Sequence, residues 1–103
     1  MIQQGEIWWG ELPQQKGRPY LVLTRQAAVE VLSNVVVAPI SSTVRGLISE
    51  VTTGPDDGLR LESAASFDNL AVMPKAMLVR RVGALAPGRW HEVCAAMRAA
   101  IDC

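Results

Sequence analysis

Val35-Val36-Val37-Ala38-Pro39-Ile40-Ser41-Ser42-Thr43 decides how this chain is read. Six apolar residues run without a polar break and begin with three β-branched valines, so they form the strongest strand in the sequence. An unbroken apolar run, unlike an alternating one, predicts a strand buried on both faces. The three hydroxyl residues end it, and Val44-Arg45-Gly46 begins a loop.

Strand signals recur on either side. Gly5 to Leu12 carries Ile7, Trp8 and Trp9. Pro13 to Gly17 is a short polar loop, after which Arg18-Pro19 opens an apolar strand from Tyr20 to Thr24. Arg25 to Leu32 reads as a helical turn or an excursion. Beyond the central run, Ile48 to Thr52 alternates as a half-buried strand does, and Gly54-Pro55-Asp56-Asp57-Gly58 is a turn by composition. Further strands are predicted near Leu59–Leu61, Ala65–Val72 and Leu78–Ala84, with one helical turn at Pro74–Met77. Pro87 suits the first turn of a helix, and Trp90, Val93, Cys94, Met97 and Ile101 then recur at spacings of three and four. Short strands at regular spacing with one terminal helix predict an α+β, mainly β fold: a small curled antiparallel sheet or barrel packed by a helix.

With 103 residues, the chain is read as one domain spanning 1–103. Half of it is hydrophobic and 19% is charged, which is globular rather than disordered. No stretch approaches the ~18 apolar residues of a membrane span, and the N-terminus lacks a signal-peptide pattern, so a cytoplasmic location is expected. Cys94 is expected as a small core residue, and Cys103, at the terminus, is not expected to form a disulfide. His91 reads as a surface residue. No pair of cysteines has metal-ligand spacing and His91 has no evident co-ligands, so neither a metal nor a cofactor is expected. The formal net charge is zero, which excludes a generic basic nucleic-acid coat but not a local basic patch. No GxSxG, P-loop or HExxH motif is present.

Three features bear on chemistry, each with two readings. Arg18 lies between a polar loop and a proline that holds the backbone extended; it is either a solvated strand-end arginine or a group placed to act. Ser41, Ser42 and Thr43, with Arg45 close behind, either bind a phosphate or satisfy a turn. Trp8 and Trp9 point to opposite faces of their strand, one expected in the core and the other exposed for a base or a partner chain.

Taken in order, several segments resemble the MazF/PemK toxin family: Gly5-Glu6-Ile7-Trp8-Trp9, Gly17-Arg18-Pro19-Tyr20-Leu21-Val22-Leu23, Val35 through Thr43, Phe67-Asp68-Asn69-Leu70, and Val82-Gly83-Ala84-Leu85 before the helix. The resemblance implies an SH3-like small barrel with a C-terminal helix, a homodimer, single-stranded RNA bound in a groove, and a cognate antitoxin whose disordered acidic tail fills that groove. It implies a metal-independent endoribonuclease, with Arg18 and Ser41 matching the family's catalytic arginine and threonine. Trp9, Gln15, Lys16, Ser42, Thr43, Arg45, Asp68 and Asn69 are then expected to bind RNA. The chain departs from the family in its shorter first loop, and in Ala71-Val72 where the family often has Arg-Thr. The alternatives are an inert interaction domain with a Trp-rich face and a gyrase-poisoning toxin of the same fold that cuts nothing. Those relatives use C-terminal residues including Trp, whereas this chain ends Ala100-Ile101-Asp102-Cys103.

Overall fold

The computed structural model describes residues 1–102; the expectation for Cys103 lies outside them. In chain order the elements are β1 (Glu6–Gly10), β2 (Arg18–Val22), α1 (Gln26–Val29), β3 (Asn34–Ser41), β4 (Glu50–Thr53), β5 (Ser63–Ser66), β6 (Ala71–Pro74), β7 (Leu78–Ala84) and α2 (Trp90–Ile101). Single 3₁₀ turns lie at Pro55–Asp57, Phe67–Asn69, Lys75–Met77 and Pro87–Arg89. Every strand pairing is antiparallel. The strand path is β4-β5-β3-β2-β1-β7, with β6 also paired to β3. The sheet curls as in an SH3-like barrel but does not close, because β4 and β7 remain unpaired ends of the path.

β3 is the hub, as its sequence predicts. Val37, Ala38 and Pro39 pair with β2, Asn34 to Val37 pair with β6, and Ile40 and Ser41 pair with β5. Pro39 falls between the β6 and β5 ladders, a place where a strand residue without an N–H is tolerated. Two apolar clusters flank the sheet. Ile7, Leu21, Ala38, Ile40, Val51, Phe67 and Leu85 pack with Val93 and Ala96 of α2. Tyr20, Val22, Val35, Val37, Met73 and Leu78 pack with Val29 of α1. Successive residues of β2 therefore enter different clusters, whereas β3 gives Val35 and Val37 to one and Ala38 and Ile40 to the other. Each fully buried Leu, Ile or Val contributes ~1.5–3 kcal/mol.

Several expectations are corrected. The run 35–40 is not buried throughout, because Val36 is 36% exposed opposite the exposed Val72. Leu59–Leu61 is a loop, not a strand: Gly58, with φ of 97°, packs against the carbonyl of Val82 and turns the chain away from the sheet. The predicted strand Ala65–Val72 is divided into β5 and β6 by the turn at Phe67–Asn69, which puts Phe67 into the core. Ile48 lies before β4 and is exposed. On α2 the buried residues are Val93 and Ala96, so Cys94 lies beside the core rather than in it, and Ile101 is exposed. Neither Trp8 nor Trp9 is fully buried; Ile7 takes the core position of β1.

Trp8 is fixed through Glu6, which ties the two ends of the chain together. The Trp8 indole donates to Glu6 Oε1 at 3.0 Å, the Gln3 amide donates to the same oxygen at 2.8 Å, and Arg81 Nε donates to Oε2 at 2.9 Å. Burial pushes this carboxyl up, but the hydrogen bonds from Trp8 and Arg81 outweigh it and hold the group below its ordinary value. A carboxyl depressed by folding stabilises the protein above the unfolded-state value, and that contribution is lost as pH falls through the folded-state value. Glu6→Gln is therefore expected to lower stability by about 1 kcal/mol at neutral pH. The gap between variant and wild type, measured by urea unfolding, should close as pH is lowered through the acidic carboxylate range; a pH-independent gap would show that the charge is not what matters.

Candidate active site

The β2–β3 register brings together the two residues singled out for catalysis. Tyr20 faces Pro39, Leu21 faces Ala38 and Val22 faces Val37. The ladder ends at Tyr20–Pro39, and Arg18 and Ser41 lie two residues beyond it, at the same end of the two strands. Both line one open cavity of about 470 Å³, within the ~300–1,000 Å³ usual for ligand sites. Arg18 opens β2 from the polar loop and its side chain is exposed; Ser41 closes β3 and is half-buried.

The hydroxyl cluster satisfies a turn, and two of its members also line the cavity. Ser41 Oγ accepts a hydrogen bond from the Thr43 amide at 3.0 Å, which completes a local turn. The hydroxyl proton of Ser41 remains free to donate into the cavity. Ser42 also lines the cavity, whereas Thr43 contributes through its amide.

Trp9 forms one wall. A Cβ on Gly17 would sit 2.5 Å from Trp9 Nε1, so only glycine lets the first loop close over the ring. Trp9 pairs directly with Arg80 on β7, and the Arg80 guanidinium lies 5.6 Å from the indole centroid, a cation–π contact. The indole N–H donates to Glu11 at 3.2 Å.

Of the sequence-predicted site residues, Trp9, Lys16, Arg18, Ser41 and Ser42 share the cavity. Gln15 lies on the same loop but outside the lining. Arg45 lies outside it as well; its amide and those of Gly46 and Leu47 donate to the Glu50 carboxylate. Asp68 accepts from Ser49 Oγ at 2.5 Å and Asn69 donates to Ser66 Oγ at 2.9 Å, so both hold the turn between β5 and β6. Conversely, the sequence reading missed Arg60, Arg80, Leu59 and Leu61, all of which line the cavity.

The cavity is electrostatically one-sided. Lys16, Arg18, Arg60 and Arg80 line it and no Asp or Glu does, although the whole chain has zero net charge. Such a cleft concentrates anions. With arginine forks, a hydroxyl donor and apolar walls from Trp9, Leu59 and Leu61, it suits a phosphate ester carrying a flat apolar group. Among the described residues no helix is long and apolar enough to cross a membrane.

The profile of the PemK-like, MazF-like toxins of type II toxin–antitoxin systems matches residues 3–101. Probable endoribonuclease MazF5 of Mycobacterium tuberculosis is 41% identical over 101 residues, covering 97% of this chain and 93% of that protein. Among solved structures, Mycobacterium tuberculosis toxin MazF-mt6 superposes with a TM-score of 0.88 at 38% identity, covering 94% of this chain and 96% of the other. An endoribonuclease in complex with its cognate antitoxin, from a mycobacterial species, shares the fold with a TM-score of 0.87 at 22% identity, covering 99% and 96%.

Proposed function

The chain belongs to the PemK-like, MazF-like toxin family of type II toxin–antitoxin systems, and on that premise we propose that it is a sequence-specific, metal-independent endoribonuclease that cuts single-stranded RNA. The observation that supports this reading is that Arg18 and Ser41 line one cavity together with Lys16, Arg60 and Arg80 and no carboxylate. In the proposed reaction the RNA 2′-oxygen attacks the adjacent phosphorus as the P–O5′ bond breaks in line with it. The 2′-hydroxyl proton leaves to water and the departing 5′-oxygen takes one up. The products are a 2′,3′-cyclic phosphate and a 5′-hydroxyl. Arg18 forks onto the two non-bridging phosphate oxygens as negative charge builds on the phosphorane, and Ser41 donates to the departing 5′-oxygen. Positioning the 2′-oxygen in line supplies the remainder.

Trp9, Lys16 and Ser42 line the same cavity and would bind the strand around the cut. Gln15, Thr43, Arg45, Asp68 and Asn69 would meet RNA only where the strand runs beyond it. The acidic tail of an antitoxin would neutralise the toxin by occupying the cationic cavity in place of RNA. The active form is a homodimer acting in the cytoplasm, where a sedimentation measurement at micromolar concentration should find no monomer.

The test is incubation of the purified protein with a long single-stranded RNA in EDTA. Discrete cuts, with ends carrying cyclic phosphate and 5′-hydroxyl, are expected; intact RNA, or cutting that returns only when a divalent metal is added, would overturn the proposal. Within that assay Ser41→Thr should retain activity, because the hydroxyl is kept, while Ser41→Ala should slow cutting roughly a hundredfold. Equal rates for Ser41→Ala and wild type would move the role to Ser42.

A further inference from the structure

Arg60 and Arg80 line the catalytic cavity from elements other than those carrying Arg18 and Ser41. Arg60 belongs to the loop between β4 and β5; Arg80 lies on β7. Among the described residues neither has a carboxylate within salt-bridge distance, in contrast to Arg81 and Arg89, which are paired. Two unpaired guanidiniums in a cavity that already holds Arg18 and Lys16 repel one another. An anion among them would pair with guanidiniums that have no carboxylate partner.

Both side chains are carried on fixed supports. The Arg80 guanidinium lies over the Trp9 indole, 5.6 Å from its centroid. The loop before Arg60 is anchored by Asp57, whose carboxylate is largely buried. Asp57 Oδ2 accepts from the Gly54 amide at 2.9 Å, and Oδ1 lies 3.6 Å from Arg89 Nη1. Arg89 also donates to the Thr52 carbonyl at 2.7 Å, so it holds both the end of β4 and the turn after it. Arg60 thus follows a clamped turn by three residues.

We infer that Arg60 and Arg80 form a second phosphate site, which holds a phosphodiester flanking the one gripped by Arg18 and Ser41. The proposal rests on the nuclease reading for the identity of the scissile phosphate. The contact itself is testable without any cutting. Phosphate contacts carry no base information, so the probe need not contain the cleavage sequence.

The experiment measures binding of a fluorescein-labelled, fully 2′-O-methylated RNA, whose blocked 2′-oxygens cannot attack, between about 50 and 200 mM salt. Each of Arg60→Ala and Arg80→Ala is expected to reduce the slope of log K against log salt by about 0.7, the value for one phosphate contact on a single strand. Arg25→Ala, which removes an exposed arginine outside the cavity, should leave the slope unchanged. An unchanged slope in either cavity variant overturns the shared site, and so does an equal fall in Arg25→Ala. Wild type that cuts RNA in EDTA but shows unchanged variant slopes refutes the second site alone. Wild type that fails to cut, with slopes falling as expected, refutes the nuclease reading and leaves the phosphate site standing. Failure of wild type to bind the probe refutes both.

Discussion

Arg18→Ala is expected to cut RNA about a thousandfold more slowly than wild type while remaining folded. Loss of a single preorganised donor to a developing oxyanion costs ~10²–10³ in rate, and a forked guanidinium supplies two such donors on one rigid group. The same side chain is exposed and lies at the strand mouth rather than in either apolar cluster, so its truncation should leave the thermal midpoint almost unmoved. Arg18→Lys separates charge from geometry: it keeps the positive point charge but loses the planar fork, and its rate should fall between the two. Single-turnover cutting of a long RNA measures the rate, and binding of the uncuttable 2′-O-methyl RNA measures affinity. The rate should fall far more than the affinity, because the contact strengthens as charge builds on the phosphorane. A rate within tenfold of wild type would remove Arg18 from the reaction.

What made this site legible in the sequence, and what hid the rest of it, has a physical basis. β3 was readable because Val35 and Val37 feed one cluster and Ala38 and Ile40 the other, which makes the run predominantly apolar even though Val36 faces out. β7 was readable with its observed bounds because Leu78 to Ala84 runs between a helical turn and the helix-opening Pro87. Residue patterns alone left Arg18 and Ser41 each with a bland reading; the ordered family resemblance selected them, and both line the cavity at one end of β2 and β3. Arg60 was hidden because Leu59-Arg60-Leu61 has the alternation of a short strand. Only the left-handed Gly58, pressed on Val82, turns it into a loop that faces the cavity. Arg80 was hidden because its role depends on facing Trp9 across β1 and β7. That register shifts on both sides of the Trp8–Trp9 pair, so counting residues along the two strands does not reveal it. Asp68 and Asn69 show the converse: a polar pair at a conspicuous place in the motif whose observed partners are Ser49, just before β4, and Ser66, at the end of β5.

Gly83→Ala is expected to be the most destabilising single-atom addition in the protein, and its effect should reach the cavity. A Cβ at Gly83 would overlap the backbone carbonyl oxygen of Asp57 and stand 2.7 Å from its carbon and 3.0 Å from Gly58 Cα. These are backbone atoms, so no side-chain rotation relieves the clash. Neither partner yields easily: Gly83 pairs with the fully buried Ile7 of β1, and Asp57 is clamped by Gly54 and Arg89. Overpacking of this kind costs about 3 kcal/mol, a large part of the ~5–15 kcal/mol that holds a small domain together. Thermal melting should report it, at roughly 4–8 °C per kcal/mol. Gly88→Ala is the matched control, since a Cβ there meets nothing within 4 Å, and it should melt as wild type does. The element that gives way should be the turn at 54–58, because β7 is held along its length by β1. Arg60 then leaves the cavity with the turn, so the salt slope of the surviving folded protein should fall as in Arg60→Ala, with Arg18 and Ser41 at the ends of β2 and β3 undisturbed. A Gly83→Ala protein that melts with wild type would show that the turn is free to shift, and that Arg60 is not carried on a fixed support.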